Sequence, residues 1–314
     1  MRYWFLIIVL YALTPSVISA SDYKRVETEH FIFFFSAKDE KLMKSFMPRA
    51  EAARRDIVGN LGMEFNEKTM VYLATSSRSY QEIQPYKSVP SWSAGVAYPG
   101  LNLIIMKSPR ATRGGTNSVI QVFKHEFTHI AMGRAFQGRE KVPRWLDEGL
   151  AMYESREWNF SRVSSITHAV LTRSLIPLSE ITHAFPHEVN RVKLAYAESF
   201  YLVSFLLNKH GKDSFHEFIR QYSRGKSLED ALRNVYAMRW VEFEDAWHAY
   251  LSVRFSWIPV ITSVSTLWFF ITLAFVLAYV KKKKAARLKY QEWEREDAPV
   301  TASNSRAGYD NGGL

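Results

Sequence analysis

The order of apolar and polar positions divides the chain into a strand-rich first part and a helical second part. Residues 28–35 pass from Thr-Glu-His into Phe31, Ile32, Phe33 and Phe34 and read as an opening strand. Apolar positions then recur with helical spacing over 41–61, and Gly59 and Gly62 stop the run. Residues 68–74, through Met70, Val71, Tyr72 and Leu73, predict a second strand. Two β-rich runs between 92 and 106 flank Pro99-Gly100, a turn signal, so a hairpin is expected there. A helix follows, beginning near 116–119. Beyond Ala151 the pattern is mostly helical. Residues 196–210 are amphipathic and end at Gly211, Asp213 is a plausible N-cap for the next helix, and that helix stops before Gly225. Ser227-Leu228-Glu229-Asp230 has the looser Ser-x-x-Asp form of a capping box. Residues 240–255 predict a last helix of this part.

Both ends carry a different signal. After Met1 and Arg2, residues 3–13 are apolar, and Ile18-Ser19-Ala20 resembles a small-residue cleavage site. Residues 1–20 therefore read as a signal peptide, with an extracytoplasmic domain over 21–256. Residues 257–280 are largely apolar and uncharged, the length of a transmembrane helix. Lysines at 281–284, with Arg287 and Lys289, mark the cytoplasmic side. Residues 281–314 are expected to be a basic cytoplasmic tail, disordered in its small, Gly-rich end. The expected topology is a single pass through a bacterial cytoplasmic membrane with the catalytic domain on the periplasmic side.

Composition narrows the chemistry. The chain has 314 residues, 47% hydrophobic and 23% charged, enough for a full core. It has no cysteine, which excludes disulfides and thiolate metal sites. The formal charge of +10 is not arranged as interleaved basic and aromatic residues, so nucleic acid is not an expected partner. The basic tail is expected to contact anionic membrane lipid.

His125-Glu126-Phe127-Thr128-His129 is the chemical signal. On a helix, residues four apart share a face. Two imidazoles side by side suit two positions of a tetrahedral zinc, and Glu126 can reach a zinc-bound water as general base. Eighteen residues separate His129 from Glu148, which follows Pro143 in the run Arg144-Trp145-Leu146-Asp147-Glu148-Gly149-Leu150-Ala151. That distance accommodates the rest of one helix, a loop, and a second helix that carries a carboxylate. Two histidines and one glutamate, with water in the fourth place, make a catalytic zinc set.

With this spacing, and with Trp145-Leu146-x-Glu148-Gly149-Leu150-Ala151, the chain resembles the gluzincin metallopeptidases, and within them the bacterial peptidase MA-like domains. The resemblance covers about residues 28–255 and is strongest over 92–154. It implies an α+β, thermolysin-like zincin with an N-terminal α+β lobe and a helical C-terminal lobe, to which the reading above adds the C-terminal transmembrane helix. It implies zinc as cofactor, His125, His129 and Glu148 as ligands, Glu126 as general base, and a peptide or protein as substrate. In gluzincins an edge strand binds the substrate backbone by β-augmentation; Gly95, Val96, Ala97 and Tyr98 stand at that place. Related aminopeptidases carry a Glu where this chain has Tyr98, a departure that favours an endopeptidase.

Other candidates come from what the chemistry requires. A donor for the developing oxyanion is needed; Tyr196 is the candidate, with Tyr201 competing. Thermolysin-like enzymes often place an acidic residue four positions after the glutamate ligand, and Met152 stands there, so no partner for the ligands is assigned. His183 and His187, separated by Phe185 and Pro186, read as loop histidines. Arg110, Arg113, Arg134, Arg139, Lys141 and Arg144 flank the motif segments and read as a solvated face, or as a basic rim that attracts acidic peptides. The competing function is a non-catalytic zinc-binding envelope scaffold or interaction module; the carboxylate of Glu126 speaks against it, because water activation needs that group and zinc binding does not.

Overall fold

Phe31, Phe33 and Phe35 set the first layer of the core. In the computed structural model, which describes residues 23–86, 93–111, 119–136, 142–156, 160–255 and 264–296, they are the inward positions of strand β2 (Phe31–Ser36). Alternation sends every second side chain to one face of a strand. Here that face meets helix α1 (Glu40–Leu61) and helix α3 (Val119–Ala135). Phe31 packs edge-on to Phe123 and Phe127 at ring separations of 5.3 and 5.5 Å. The opening strand is shorter than expected and is paired with a strand the hydrophobic pattern did not suggest: β1 (Tyr23–Glu27) lies antiparallel to β2, Tyr23 opposite Ser36. Its sequence, Tyr-Lys-Arg-Val-Glu, is polar because it forms one edge of the sheet.

Among the described residues the sheet has five strands in the order β1-β2-β3-β5-β4. β3 (Thr69–Ala74) runs parallel to β2 and to β5 (Leu103–Lys107), which are reached by helical crossovers. α1 supplies the first, and helix α2 (Ser77–Ile83) lies in the second. The hairpin around Pro99-Gly100 is present: β4 (Gly95–Tyr98) pairs antiparallel with β5, with Gly95 opposite Met106. Among the described residues β4 ends the sheet, and no described strand pairs with its outer edge.

Helices make up the rest. They are α4 (Arg144–Ser155), α5 (Phe160–Thr172), α6 (Leu178–His183), α7 (Val189–Ser223), α8 (Leu228–Tyr236) and α9 (Trp240–Arg254). The expected stop at Gly211 appears as a break inside α7, where that glycine adopts φ 83° and ψ 165°. Such a φ strains any residue with a Cβ. Ser227 caps α8, accepting from the Asp230 backbone N–H at 3.0 Å.

α4 and α7 pack backbone against backbone. A Cβ placed on Gly149 would lie 2.3 Å from the carbonyl oxygen of Ser199. Only a residue with no side chain lets the two backbones approach this far. Beside it, Trp145, Leu146 and Leu150 are fully buried and lock α4 into the core.

The chain divides into two units, Met1–Phe255 and Ser256–Leu314. The second contains helix α10 (Val264–Glu296). The expected transmembrane helix is corrected here: among the described residues no helix is long and apolar enough to cross a membrane. Within α10 the largely apolar stretch 264–280 runs straight into lysines at 281–284 on the same helix. That stretch of the described helix falls short of the roughly 20 residues a span requires. Residues 257–263 of the expected span, the expected signal peptide at 1–20, and the tail beyond 296 lie outside the described residues.

The approach at Gly149 gives a stability prediction. Gly149→Ala forces a Cβ into the α7 backbone and is expected to destabilise the fold by at least ~1–3 kcal/mol. Thermal unfolding followed by circular dichroism checks it; an unchanged melting temperature contradicts the packing described.

Candidate metal centre

The faces of α3 separate two tasks. Ile120, Phe123, Phe127, Ile130 and Ala131 are buried and hold the helix against the sheet and α1. His125 and His129 share another face, with ring centroids 5.0 Å apart. α4 brings Glu148 to them. Its Oε2 lies 3.8 Å from His125 Nε2 and 4.0 Å from His129 Nε2. The carboxylate is almost wholly buried, at 5% exposure. A carboxylate in such a place needs partners of opposite charge or donors.

These three side chains form a group that could hold a metal ion, each offering one donor atom within 4.8 Å of the others. Donors about 2.0–2.2 Å from a tetrahedral zinc lie ~3.4 Å apart, so the observed separations need only a small contraction. The donor set, two imidazole nitrogens and one carboxylate oxygen, also fits zinc in type.

Two further residues fix the ligands, and sequence reasoning assigned neither. Asp147 Oδ1 lies 2.8 Å from His129 Nδ1. That contact leaves Nε2 directed at the centre, the usual outer partner of a metal-binding histidine. Burial alone would lower the pKa of His129, but the charge and hydrogen bond of Asp147, with Glu148 and Glu126, outweigh it and raise it to about 10. Burial would raise the carboxyl of Asp147; His129 and then Arg144 overcome that and hold it low. The signal in the sequence was adjacency, an acid immediately before the third ligand. Position 152 gives no partner: Met152 is buried in the core.

Arg144 is the second. Its guanidinium is 2.7 Å from Glu148 Oε1, the oxygen that does not face the histidines. It also hydrogen-bonds the Tyr196 phenol, whose pKa is raised, chiefly by burial. Arg144 sits one turn before Glu148 on the same helix, a spacing that brings side chains together. It is therefore part of the centre and not merely of a solvated face.

The two tyrosines part company. Tyr196 stands beside Arg144 and edge-on to Phe185, with Glu148 close enough to influence its phenol. Tyr201 is buried against Phe255 and Phe200, with ring separations of 4.8 and 5.1 Å. Its surroundings are those of a core residue.

β4 borders the centre. A Cβ on Gly95 would lie 2.7 Å from Val122 Cγ1 and 2.9 Å from Glu126 Oε1, so the strand touches α3 at the motif glutamate. Val96 and Tyr98 face the opposite side of the sheet, clustering with Tyr80, Leu103 and Ile105. The Tyr98 hydroxyl lies 3.3 Å from Gln84 Oε1 and 3.1 Å from the Tyr86 carbonyl. Of the two loop histidines, His183 ends α6 and lines a cavity next to His129. Arg113, Arg139 and Lys141 lie outside the described residues.

The Asp147 contact predicts a metal-affinity effect. Asp147→Asn keeps the size of the side chain and removes its charge. It is expected to weaken zinc binding by about 10–100-fold. Competition with a chromophoric chelator measures this; an unchanged affinity would remove Asp147 from the centre.

No curated protein matches the chain. The family model of the Peptidase MA superfamily matches residues 51–253, a stretch that contains α3, α4, the three candidate ligands and every residue placed around them. By the extent of that match, the chain belongs to the Peptidase MA superfamily.

Proposed function

We propose that the protein is a zinc-dependent endopeptidase that acts outside the cytoplasm. Membership of the Peptidase MA superfamily supports a metallopeptidase-like function. The observation that carries the finer reading is the placement of Glu126: it sits between two candidate ligands on α3 and against β4, the last described strand of the sheet. A substrate chain laid on that strand would pass beside a carboxylate and a metal centre at once.

His125, His129 and Glu148 would hold zinc, which supplies Lewis acidity and lowers the pKa of water at the site. Glu126 takes the proton of the attacking water and passes it to the leaving amine. Tyr196 donates its hydroxyl hydrogen to the oxyanion that develops at the scissile carbonyl. Arg144 donates toward the same phenol and supports that orientation. Gly95, Val96, Ala97 and Tyr98 offer backbone groups to the substrate by β-augmentation. The sequence of β4, Gly-Val-Ala-Tyr, supports endopeptidase action, since it offers no carboxylate to hold a free amino terminus. The apolar run at 3–13 and the small residues at 18–20 support a site of action outside the cytoplasm.

Two substitutions test the proposal. Glu126→Gln keeps the ligands and removes the base. Zinc content, measured by elemental analysis, is expected to equal that of wild type, while peptide hydrolysis falls by about two to four powers of ten. Equal hydrolysis by the two proteins would rule out Glu126 as base. A zinc-loaded wild type that cleaves no peptide or envelope protein offered would favour a non-catalytic scaffold.

Gly95→Ala tests the contact between β4 and Glu126. The added methyl would push against the carboxylate and shift it. Displacement on the scale of an ångström costs roughly a hundredfold in rate. We expect that loss in kcat with zinc content retained; a kcat within a factor of two of wild type would contradict the contact.

A further inference from the structure

A cavity of about 870 Å³ opens beside the centre, on the side of His129, Arg144 and Asp147. Its size is that of a site for a ligand with several groups, well beyond a solvent crevice. Its apolar and aromatic walls are Pro99, Val142, Pro143, Tyr222, Leu228 and Trp240, and Ser179, Thr182, His183, Ser227 and Glu229 stand among them. Helices α8 and α9 contribute Leu228 and Trp240 from their first turns.

Contacts between β4 and α3 fix where this cavity lies along the cleft. Gly95 meets α3 at Val122 and Glu126, and Pro99, just past the strand, meets it at Gly133, where a Cβ would be 2.3 Å from Pro99 Cβ. β4 therefore follows α3 in the same direction, past both histidines. The cavity, lined by Pro99 and Gly133, lies at the far end of that path. A peptide that adds to β4 pairs best in the antiparallel sense. Its chain then runs from the Pro99 end toward the Gly95 end. Residues before the scissile bond fall at the cavity, and residues after it at Gly95.

We infer that this cavity receives the substrate residues on the amino-terminal side of the scissile bond and selects large apolar side chains, aromatic ones above all, through Trp240. The inference rests on the peptidase reading of the metal centre and adds the substrate class to it. It also agrees with endopeptidase action, because there is room for chain before the cleaved bond. Trp240 is half-buried and leans on Phe243 at a ring separation of 6.2 Å, which leaves it supported from behind as one wall. Flat aromatic walls favour aromatic guests in offset or edge-on contact.

The test uses the full-length zinc-loaded protein and a peptide library randomised on both sides of the cut, with products read by mass spectrometry. We expect Phe, Tyr, Trp and Leu to be enriched about tenfold or more over Ala before the cleaved bond. Trp240→Ala should flatten that preference, and Val142→Trp, which fills the cavity without removing a wall, should turn it toward small residues. Calorimetry of full-length Glu126→Gln with two peptides that differ only in Phe or Ala before the bond should show the same discrimination without chemistry. Cleavage with preference only after the bond, or a profile that neither variant changes, overturns the inference and leaves the peptidase reading standing. Failure of the wild type to cleave any library member overturns both.

Discussion

Glu148 reaches the histidines because Gly149 next to it has no side chain. The backbone of α4 lies against α7 at the Ser199 carbonyl, closer than any Cβ would allow. Trp145, Leu146 and Leu150 hold it there from the other faces of the helix. The consequence is a buried carboxylate aimed at two imidazoles. Burial of a charge is tolerated only with partners, and the centre supplies them: Arg144 on one oxygen, the histidine pair on the other. Metal site and packing are thus one problem. Whatever loosens the contact between α4 and α7 releases the third ligand.

The same economy appears on α3. One face is core, and it stacks Phe123 on Phe127 at 5.7 Å beneath the sheet. Another carries the donors. β4 is pressed to the helix at Gly95, so the edge strand and the motif glutamate are held together by a single contact. Asp147 and Arg144 complete the arrangement from α4, one on a histidine and one on the glutamate ligand. The candidate ligands, Glu126 and their supports come from two helices and one strand. Each is anchored by side chains that point away from the site.

The elements legible in the sequence were those with strong periodicity or strong punctuation. The Phe-rich strand, α1 up to its glycines, the Pro-Gly hairpin and the break at Gly211 are examples. β1 escaped notice because an edge strand exposed on both sides has no alternation to read. The pairing of His125 with His129 on one face was legible because helix periodicity dictates which side chains meet. Its supports were not. Asp147 acts across helices on His129, and Arg144 acts one turn away on whichever oxygen Glu148 turns from the histidines, and packing decides both. Tyr196 and Tyr201 look equivalent five residues apart; the fold sends one to Arg144 and the other to Phe255. The apolar run beyond residue 256 suggested a membrane span by composition, whereas the apolar stretch of the described helix is too short before its lysines begin.

The most direct test of the account is X-ray absorption spectroscopy of the zinc-loaded protein at the zinc edge. The account predicts a four-coordinate shell with nitrogen and oxygen neighbours at about 2.0–2.1 Å and the outer-shell scattering of two imidazoles. Loss of one imidazole contribution in His129→Ala should accompany loss of bound metal. A six-coordinate, all-oxygen shell, or a spectrum that His129→Ala leaves unchanged, would contradict the central claim that His125, His129 and Glu148 form a zinc site.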